Sequence, residues 1–579
     1  MIALLKSRIP KGDDRGVSLV TVLALGFLMA LLATAAVAYS TGSMRFSRHT
    51  QDWNAALAAA YAGAEEYQSR LTEDPSYYRA GNPNSSFSLE TDSEVVSPET
   101  LGLSANPAFS PTDWGAVPGS DGKAKFRYEV DNSRYFTDGT LRLRSTGYSG
   151  QETRSIVVEL RQKGFIDFLY FTDYEVGDPM YSGSQACVQY LYNYPSLSRP
   201  SSCSGINFIT ADTIDGPLHT NDVMQILGNP TFLGDTTSSL PPDKRINNRR
   251  YATSGTANPT FAINPNNEPG YLGTLGMPQT NAELKKEVTP DNHDVPNPGC
   301  LYTGPTKLTF KSNGRLHVKS PFTKYTSPLT KDNEGCGTPG PNGIDEEIDA
   351  PVNNVIYVQN VPSAANDPNY TANNTTRSQC SNDNSRNSLG YPISNETAPN
   401  YSGSPSYGCR NGDVFVSGQV NAQATIAAEN FVYITDNLTY VDKQRDILGL
   451  VGQNAVFVWN PVQSNGRRNP TYTNLLTDNG RQIDAAILSV AHTFTVQNYD
   501  KGNNRGTLAV TGAIAQKFRG PVGTGSGGNI STGYGKEYVY DERFRYTAPP
   551  KFLSPVTTTY GINTWVEVSP VFDTDGTEL

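Results

Sequence analysis

The sequence predicts a mainly β protein led by one long N-terminal α-helix. An uncharged apolar run covers residues 17–38, and helical spacing of apolar residues continues from it to about residue 73. Short apolar or alternating segments, each bounded by Gly, Asn or Asp, recur through the last third of the chain. The composition agrees: 579 residues include 52 Gly, 39 Pro and 32 Tyr, only 18% are charged, and the net charge is -10. Mean hydropathy is -0.47. Low charge with abundant Asn, Thr, Ser, Gly and Tyr fits an extracytoplasmic β-rich surface better than a cytosolic enzyme. The negative balance argues against a broad nucleic-acid-binding face, so no nucleic-acid partner is expected.

Residues 1–16 form a basic leader in which Lys6, Arg8, Lys11 and Arg15 outnumber Asp13 and Asp14. Cationic residues beside a membrane span stay cytoplasmic. The run that follows contains Leu19, Val20, Val22, Leu23, Leu25, Phe27, Leu28, Met29, Leu31 and Leu32. About 20 such residues are enough to cross a bilayer as a helix. The expected topology is therefore a single pass through the inner membrane, with a short cytoplasmic N-terminus and an extracytoplasmic body. Beyond the span, Trp53, Ala56, Leu57, Ala60, Tyr61, Ala64, Tyr67 and Leu71 recur at spacings of three and four. No proline interrupts the chain before Pro75, so one helix over 17–74 is predicted, roughly 85 Å long at 1.5 Å per residue. Its first half would sit in lipid and its second half would brace a soluble domain.

The basic leader ends in Gly16 immediately before the apolar core, so a cut there would keep the core. An ordinary secretory signal is cut after its core and loses it. The arrangement resembles type IV prepilins and pseudopilins. That resemblance implies cleavage between Gly16 and Val17 by a prepilin peptidase, and packing of the retained helix against other pilin or pseudopilin subunits. The stretch Ala55-Ala56-Leu57-Ala58-Ala59-Ala60-Tyr61-Ala62-Gly63-Ala64-Glu65 is similar to the alanine-rich segment of PilX-type minor pilins. Alanine is also simply the best helix former. Major pilins of the family keep a glutamate at the fifth mature position, and here that position is Thr21. The departure implies a minor or tip subunit rather than the repeated shaft protein. An uncleaved anchor unrelated to pili is the competing reading, with the same topology.

Residues 75–165 carry Pro-, Ser- and Asn-rich turns and then strands near 125–130, 141–146 and 155–162, the last alternating Ile156, Val158 and Leu160. A small antiparallel sheet packed on the helix is expected, as in pilin heads. Residues 166–412 mix strands with long polar loops. Residues 413–579 read as a ladder of short strands, including Val414-Phe415-Val416, Ala424-Thr425-Ile426, Val432-Tyr433-Ile434, Leu448-Gly449-Leu450-Val451, Val456-Phe457-Val458 and Ala485-Ala486-Ile487-Leu488. Residues 206–234 show the same grammar. These patterns predict a β-solenoid body, similar to a parallel β-helix and split by loop insertions, with an antiparallel β-sandwich as the alternative. The segments Gly216-Pro217-Leu218-His219-Thr220-Asn221, Thr425-Ile426-Ala427-Ala428-Glu429-Asn430 and Arg519-Gly520-Pro521-Val522-Gly523 resemble an uncharacterised domain found behind pilin-like N-termini in bacteria. Tyr540-Asp541-Glu542-Arg543 belongs to the same set. No activity comes with that resemblance.

The six cysteines are Cys187, Cys203, Cys300, Cys336, Cys380 and Cys409. An even number in an exported chain suggests disulfides. Pairing in chain order (Cys187 with Cys203, Cys300 with Cys336, Cys380 with Cys409) would close three polar loops, each closure contributing about 2–4 kcal/mol. Metal-ligand spacing is absent, so no metal or cofactor is expected. None of the five histidines, His49, His219, His293, His317 and His492, belongs to a recognised catalytic motif. His219 among Asp215, Thr220, Asn221 and Asp222 could act in acid/base chemistry, but a side chain bonding across a turn is the simpler role. Asp484 fits a turn-capping carboxylate. Arg519 and the Asp541/Arg543 pair fit an ion-pair network closing the end of the solenoid. Trp459, Tyr538, Tyr540 and Tyr546 could offer stacking faces to a surface polysaccharide, the remaining candidate partner. Asp573-Thr574-Asp575-Gly576 starts like a calcium loop without its closing glutamate, and Asp345, Glu346, Glu347 and Asp349 fit a solvated acidic face.

No catalytic residue is assigned and no enzymatic activity is expected. The function expected is that of a minor type IV pilin-like subunit, membrane-inserted before assembly and exposed at the cell surface or on a pilus afterwards. Its β body would serve fibre priming, capping or surface adhesion. The alternative is a membrane-tethered polysaccharide-binding protein or polysaccharide-active enzyme.

Overall fold

A computed structural model describes residues 17–579 except 112, 136–139, 183–184, 204, 290–294, 296, 327–333, 373–386, 388, 402–403, 467, 527–528 and 556–558. The leader with Gly16, and also His293 and Cys380, lie outside the described residues. The chain forms two compact units, one of residues 17–162 with Tyr560–Leu579, the other Lys163–Thr559.

The first unit is built on the 57-residue helix Val17–Glu73. A five-stranded sheet packs on its second half, in the order Gly115–Ala116, Ala124–Asp131, Thr140–Ser149, Glu152–Lys163 and Thr559–Val568. The first three pairings are antiparallel. Between Ser149 and Glu152 the hairpin turns over two residues, with Gly150 at φ +61°, a conformation that suits glycine. Helix and sheet approach closely because the facing residues are small. Ala56, Ala59, Ala60 and Ala64 are fully buried, and a Cβ on Gly147 would lie 2.0 Å from the Ala56 carbonyl oxygen. Ser145 Oγ donates to the Ala60 carbonyl at 2.7 Å. Tyr67, Leu71, Tyr128, Val130, Leu143, Ile156, Val158 and Leu160 complete this core.

The last strand shows where the sequence-based division of the chain differs from the structure. Residues 413–579 were expected to form one region, yet Thr559–Val568 joins the sheet of the helical unit. Arg154 pairs there with Glu567, and Val571 N donates to Ser155 Oγ at 3.1 Å. These partners are more than 400 residues apart, beyond the reach of local pattern.

In the second unit most strands pair in parallel, register on register, and fall into three columns. One column runs Cys300–Thr303, Val352–Gln359, Gln423–Ala428, Ile447–Gly452, Arg481–Ser489 and Asn504–Phe518. It continues through Tyr170–Tyr174, Leu218–Thr220, Thr236–Ser238 and Gly270–Tyr271. A second column runs Thr306–Phe310, Val414–Val420, Val432–Tyr440, Val456–Val458 and Phe494–Val496. The third passes through Arg481–Ser489, Asn504–Phe518, Asn529–Tyr540, Thr213–Asp215, Thr231–Phe232 and Thr260–Phe261. Aligned apolar side chains fill the interior: Ile356, Ile426, Leu450, Ile487 and Ile514 occupy one register row and are buried.

The columns are not in chain order. The strands Tyr170–Tyr174, Thr213–Asp215 and Leu218–Thr220 stack after Asn504–Phe518 and Asn529–Tyr540, so an early part of the body completes coils begun by its end. Residues 272–289 run along the outside, where Leu275, Met277, Leu284 and Val288 bury themselves against Leu301, Tyr357, Ala427, Val451 and Ala515. Antiparallel pairing in the body includes the strands Arg315–Ser320 and Ile344–Asp349. The acidic side chains of the second strand pair with Lys311, Arg315, His317 and Lys319. Such charged strands discourage edge-to-edge association.

Candidate functional site: the uncovered apolar helix and the seam of the body

No charged residue occurs between residues 17 and 44. This half of the helix has a mean hydropathy of 2.4 in its most apolar window, none of which is buried. Leu19, Leu23, Phe27, Leu28, Leu31 and Leu32 are all exposed. Burying such side chains is worth about 1.5–3 kcal/mol each, so a surface of this kind is stable only against lipid or other apolar chains. Two of its hydroxyls are satisfied within the helix. Thr34 Oγ1 donates to the Ala30 carbonyl at 3.0 Å, and Thr41 Oγ1 to the Val37 carbonyl at 2.9 Å. That matters in hydrocarbon, where an unpaired polar group is costly. Charge begins where the run stops: Arg45, Arg48 and His49 follow, with Trp53 just beyond. His49 Nδ1 lies 2.6 Å from Glu152 Oε1, and the Arg154 guanidinium sits 4.6 Å from the Trp53 ring centre. Cationic and aromatic residues are common at membrane–water boundaries. Thr21 lies in the exposed half of the helix.

In the body, Cys187 is bonded to Cys203 and Cys300 to Cys336. Cys409 is also disulfide-bonded. His219 is fully buried between Phe168 and Phe171. Its Nδ1 lies 2.9 Å from Thr237 Oγ1 and its Nε2 3.2 Å from Asn221 Oδ1, so it is a saturated core side chain. Asp484 accepts from Tyr440 N at 3.0 Å. Arg543 binds Asp541 at 2.6 Å and the Asp446 carbonyl at 2.8 Å. Of the four proposed stacking residues only Tyr546 is exposed. Trp459 Nε1 donates to Tyr407 Oη at 3.0 Å, Tyr540 Oη donates to the Ile166 carbonyl at 2.8 Å, and Tyr538 is core. Asp573 and Asp575 hold a tight exposed turn. Among the described residues no group of three or more His, Cys, Asp or Glu side chains could hold a metal ion.

Arg519 does not close an end of the stack. It lies fully buried where residues 514–519 meet residues 170–176. Its Nη1 donates to Glu175 Oε2 at 2.7 Å and to the Ile206 carbonyl at 2.9 Å. Its guanidinium lies 3.5 Å from the centre of the Phe208 ring. Burial disfavours its charge, but Glu175, Tyr170 and Asp212 outweigh that and hold its pKa above the usual value. Nearby, Lys536 Nζ donates to Asp212 Oδ2 at 3.0 Å. Burial pulls the Lys536 pKa down, and Asp212 opposes this only partly. Asp222 is pushed up to about 6 by burial, although Arg199 pairs with it and the backbone N–H groups of Leu191 and Glu175 donate to it. Spacing gave no sign of these partners, because Arg519 and Glu175 are 344 residues apart. The same holds for His492, whose Nδ1 lies 2.9 Å from Asp178 Oδ2 across 314 residues.

No protein-family profile matches the sequence, and no curated protein matches it. Among solved structures, the competence-associated pilin ComZ from Thermus thermophilus is similar at 13% sequence identity, with a TM-score of 0.28 over 89% of this chain and 97% of that chain. A TM-score of that size establishes no common fold.

Proposed function

We propose that this chain is a minor pilin-like subunit. Its apolar half-helix holds it in the inner membrane and then joins a fibre, and its β body is displayed outside for priming, capping or adhesion. The supporting observation is a single unbroken helix whose first half is apolar and uncovered and whose second half is buried on a small antiparallel sheet. A signal sequence removed after its core would waste that continuity. In this proposal a prepilin peptidase cuts between Gly16 and Val17, other pilin subunits pack on the retained helix, and the role is structural rather than enzymatic.

Co-expression with a prepilin peptidase tests it. N-terminal sequencing should return a mature chain that starts at Val17 and fractionates with membranes. Gly16→Leu should leave the leader attached. A native chain that starts beyond Tyr39 would defeat the proposal.

A further inference from the structure

Lys536 interrupts an apolar interior. It stands on the inward face of the strand Asn529–Tyr540, between Tyr534 and Tyr538, which are both buried. Its register partner in the adjoining strand is Leu508, also buried. On the other side Tyr538 pairs with Ile214, and two residues earlier Asp212 comes level with Lys536. Lys536 Nζ lies 3.0 Å from Asp212 Oδ2, and the two side chains are 15% and 5% exposed. Taking two charges out of water is costly, and apolar side chains in their place are often no less stable. Attraction alone is therefore a poor reason for this pair.

The surroundings hold the two groups still and favour their neutral forms. Ile209 N also donates to Asp212 Oδ2 at 3.0 Å, and Asp212 N donates to the Ile209 carbonyl at 2.8 Å. A tight turn thus fixes the carboxyl against the amine. Burial loosens the proton on Lys536 Nζ, and the Arg519 charge does the same, while Asp212 and Glu175 act the other way; the net pKa lies below the ordinary lysine value. In a poorly polar site an amine beside a carboxylic acid competes well with the two ions. Reactants held in contact behave as if at effective concentrations of about 10⁵–10⁸ M.

We propose that Lys536 and Asp212 join in an intramolecular amide bond that ties the late coils of the body to its early ones. A proton passes from Nζ to Oδ2 along the existing hydrogen bond, leaving an amine and a carboxylic acid. Nζ then attacks Cγ. The Cγ–Oδ2 bond breaks, assisted by the Ile209 N–H, and Oδ2 departs as water with a second proton from Nζ. One C–N bond forms, one C–O bond breaks, and nothing is oxidised or reduced. The water leaves through an adjoining cavity of about 450 Å³ that Lys536 and Asp212 both line. The bond closes a loop across 324 sequence positions, so the seam cannot open without covalent scission. The inference goes beyond the pilin-like reading and does not depend on it.

The test uses the full-length chain, extracted in detergent, then reduced and unfolded before measurement. Its intact mass should fall short of the sequence mass, taken from its own N-terminus, by one water. Trypsin should not cut after Lys536, and peptide mapping should return one branched peptide that carries both Lys536 and Asp212. Lys536→Met and Asp212→Ala should each restore the missing water. The peptide map of the unaltered chain decides the matter even where a variant fails to fold. A full sequence mass, with Lys536 and Asp212 recovered in separate linear peptides, overturns the proposal. A missing water that persists in Lys536→Met overturns it too, because the water was then lost elsewhere.

Discussion

Asp413 lies fully buried at a turn between two columns of the body, where its Oδ1 accepts from Asn430 Nδ2 at 2.5 Å and from Phe431 N at 3.2 Å. Among the described residues its Oδ2 has no hydrogen-bond partner. Burial pushes its pKa up to about 7, against the pull of Asn430 and Phe431. Asp222 shifts the same way, to about 6. A carboxyl whose folded pKa is raised gives its full stability below the unfolded value near 3.8 and loses it as pH rises through the folded value. Stability of the body should therefore fall between about pH 4 and pH 7, the reverse of ordinary acid denaturation. Asp413→Asn should flatten that slope and stabilise the protein at pH 8 by up to roughly 4 kcal/mol, at 1.36 kcal/mol per pK unit. Urea unfolding at pH 4.5 and pH 8 measures both effects. In the sequence, Asp413 is one more polar residue ahead of an apolar strand, and nothing local marks it as sealed from water. His219, by contrast, sits in a polar sequence neighbourhood but in an aromatic three-dimensional one.

Two elements carry the architecture. The first is the helix, whose unbroken course to Glu73 was legible from the proline-free run and the spacing of Ala56, Ala60, Ala64, Tyr67 and Leu71. What the alanines are for was not legible, because the answer is Gly147 and Ser145 on a strand far along the chain. The second is the seam, where Tyr170–Tyr174 pairs with Ile514, Ala515, Gln516 and Phe518. Removing one partner of a buried ion pair typically costs about 3–5 kcal/mol, because a charge is left alone in a poor solvent for it. Glu175→Gln or Arg519→Met alone should cost about that much in urea unfolding. Replacing both, as Glu175→Leu with Arg519→Met, should recover most of the loss. The strands themselves were legible: Ala424-Thr425-Ile426, Leu448-Gly449-Leu450-Val451 and Ala485-Ala486-Ile487-Leu488 all lie in observed strands. Alternation and β-branched side chains announce a strand without naming its neighbour.

At the scale of the whole molecule, the chain leaves the helical unit at the end of Glu152–Lys163 and re-enters it at Thr559–Val568, the neighbouring strand of the same sheet. The body is an insertion into that sheet. Each unit has its own hydrophobic core, which is the condition for independent folding. Replacing residues 164–558 by a short Gly/Ser loop should leave a helical unit that unfolds cooperatively in detergent, as followed by circular dichroism. A chain that stays molten after this replacement would mean that the body is needed to hold the last strand in place.

Local pattern was enough for the membrane-length helix, its amphipathic continuation and the succession of short strands. Each of these depends on side chains within one or two turns or along a single strand. The order of the stack, the last strand's place beside the helix, the buried Glu175–Arg519 contact and the Lys536–Asp212 ion pair were settled only in three dimensions. Each joins residues hundreds of positions apart, and the burial that decides their energies exists only after the distant segments have met.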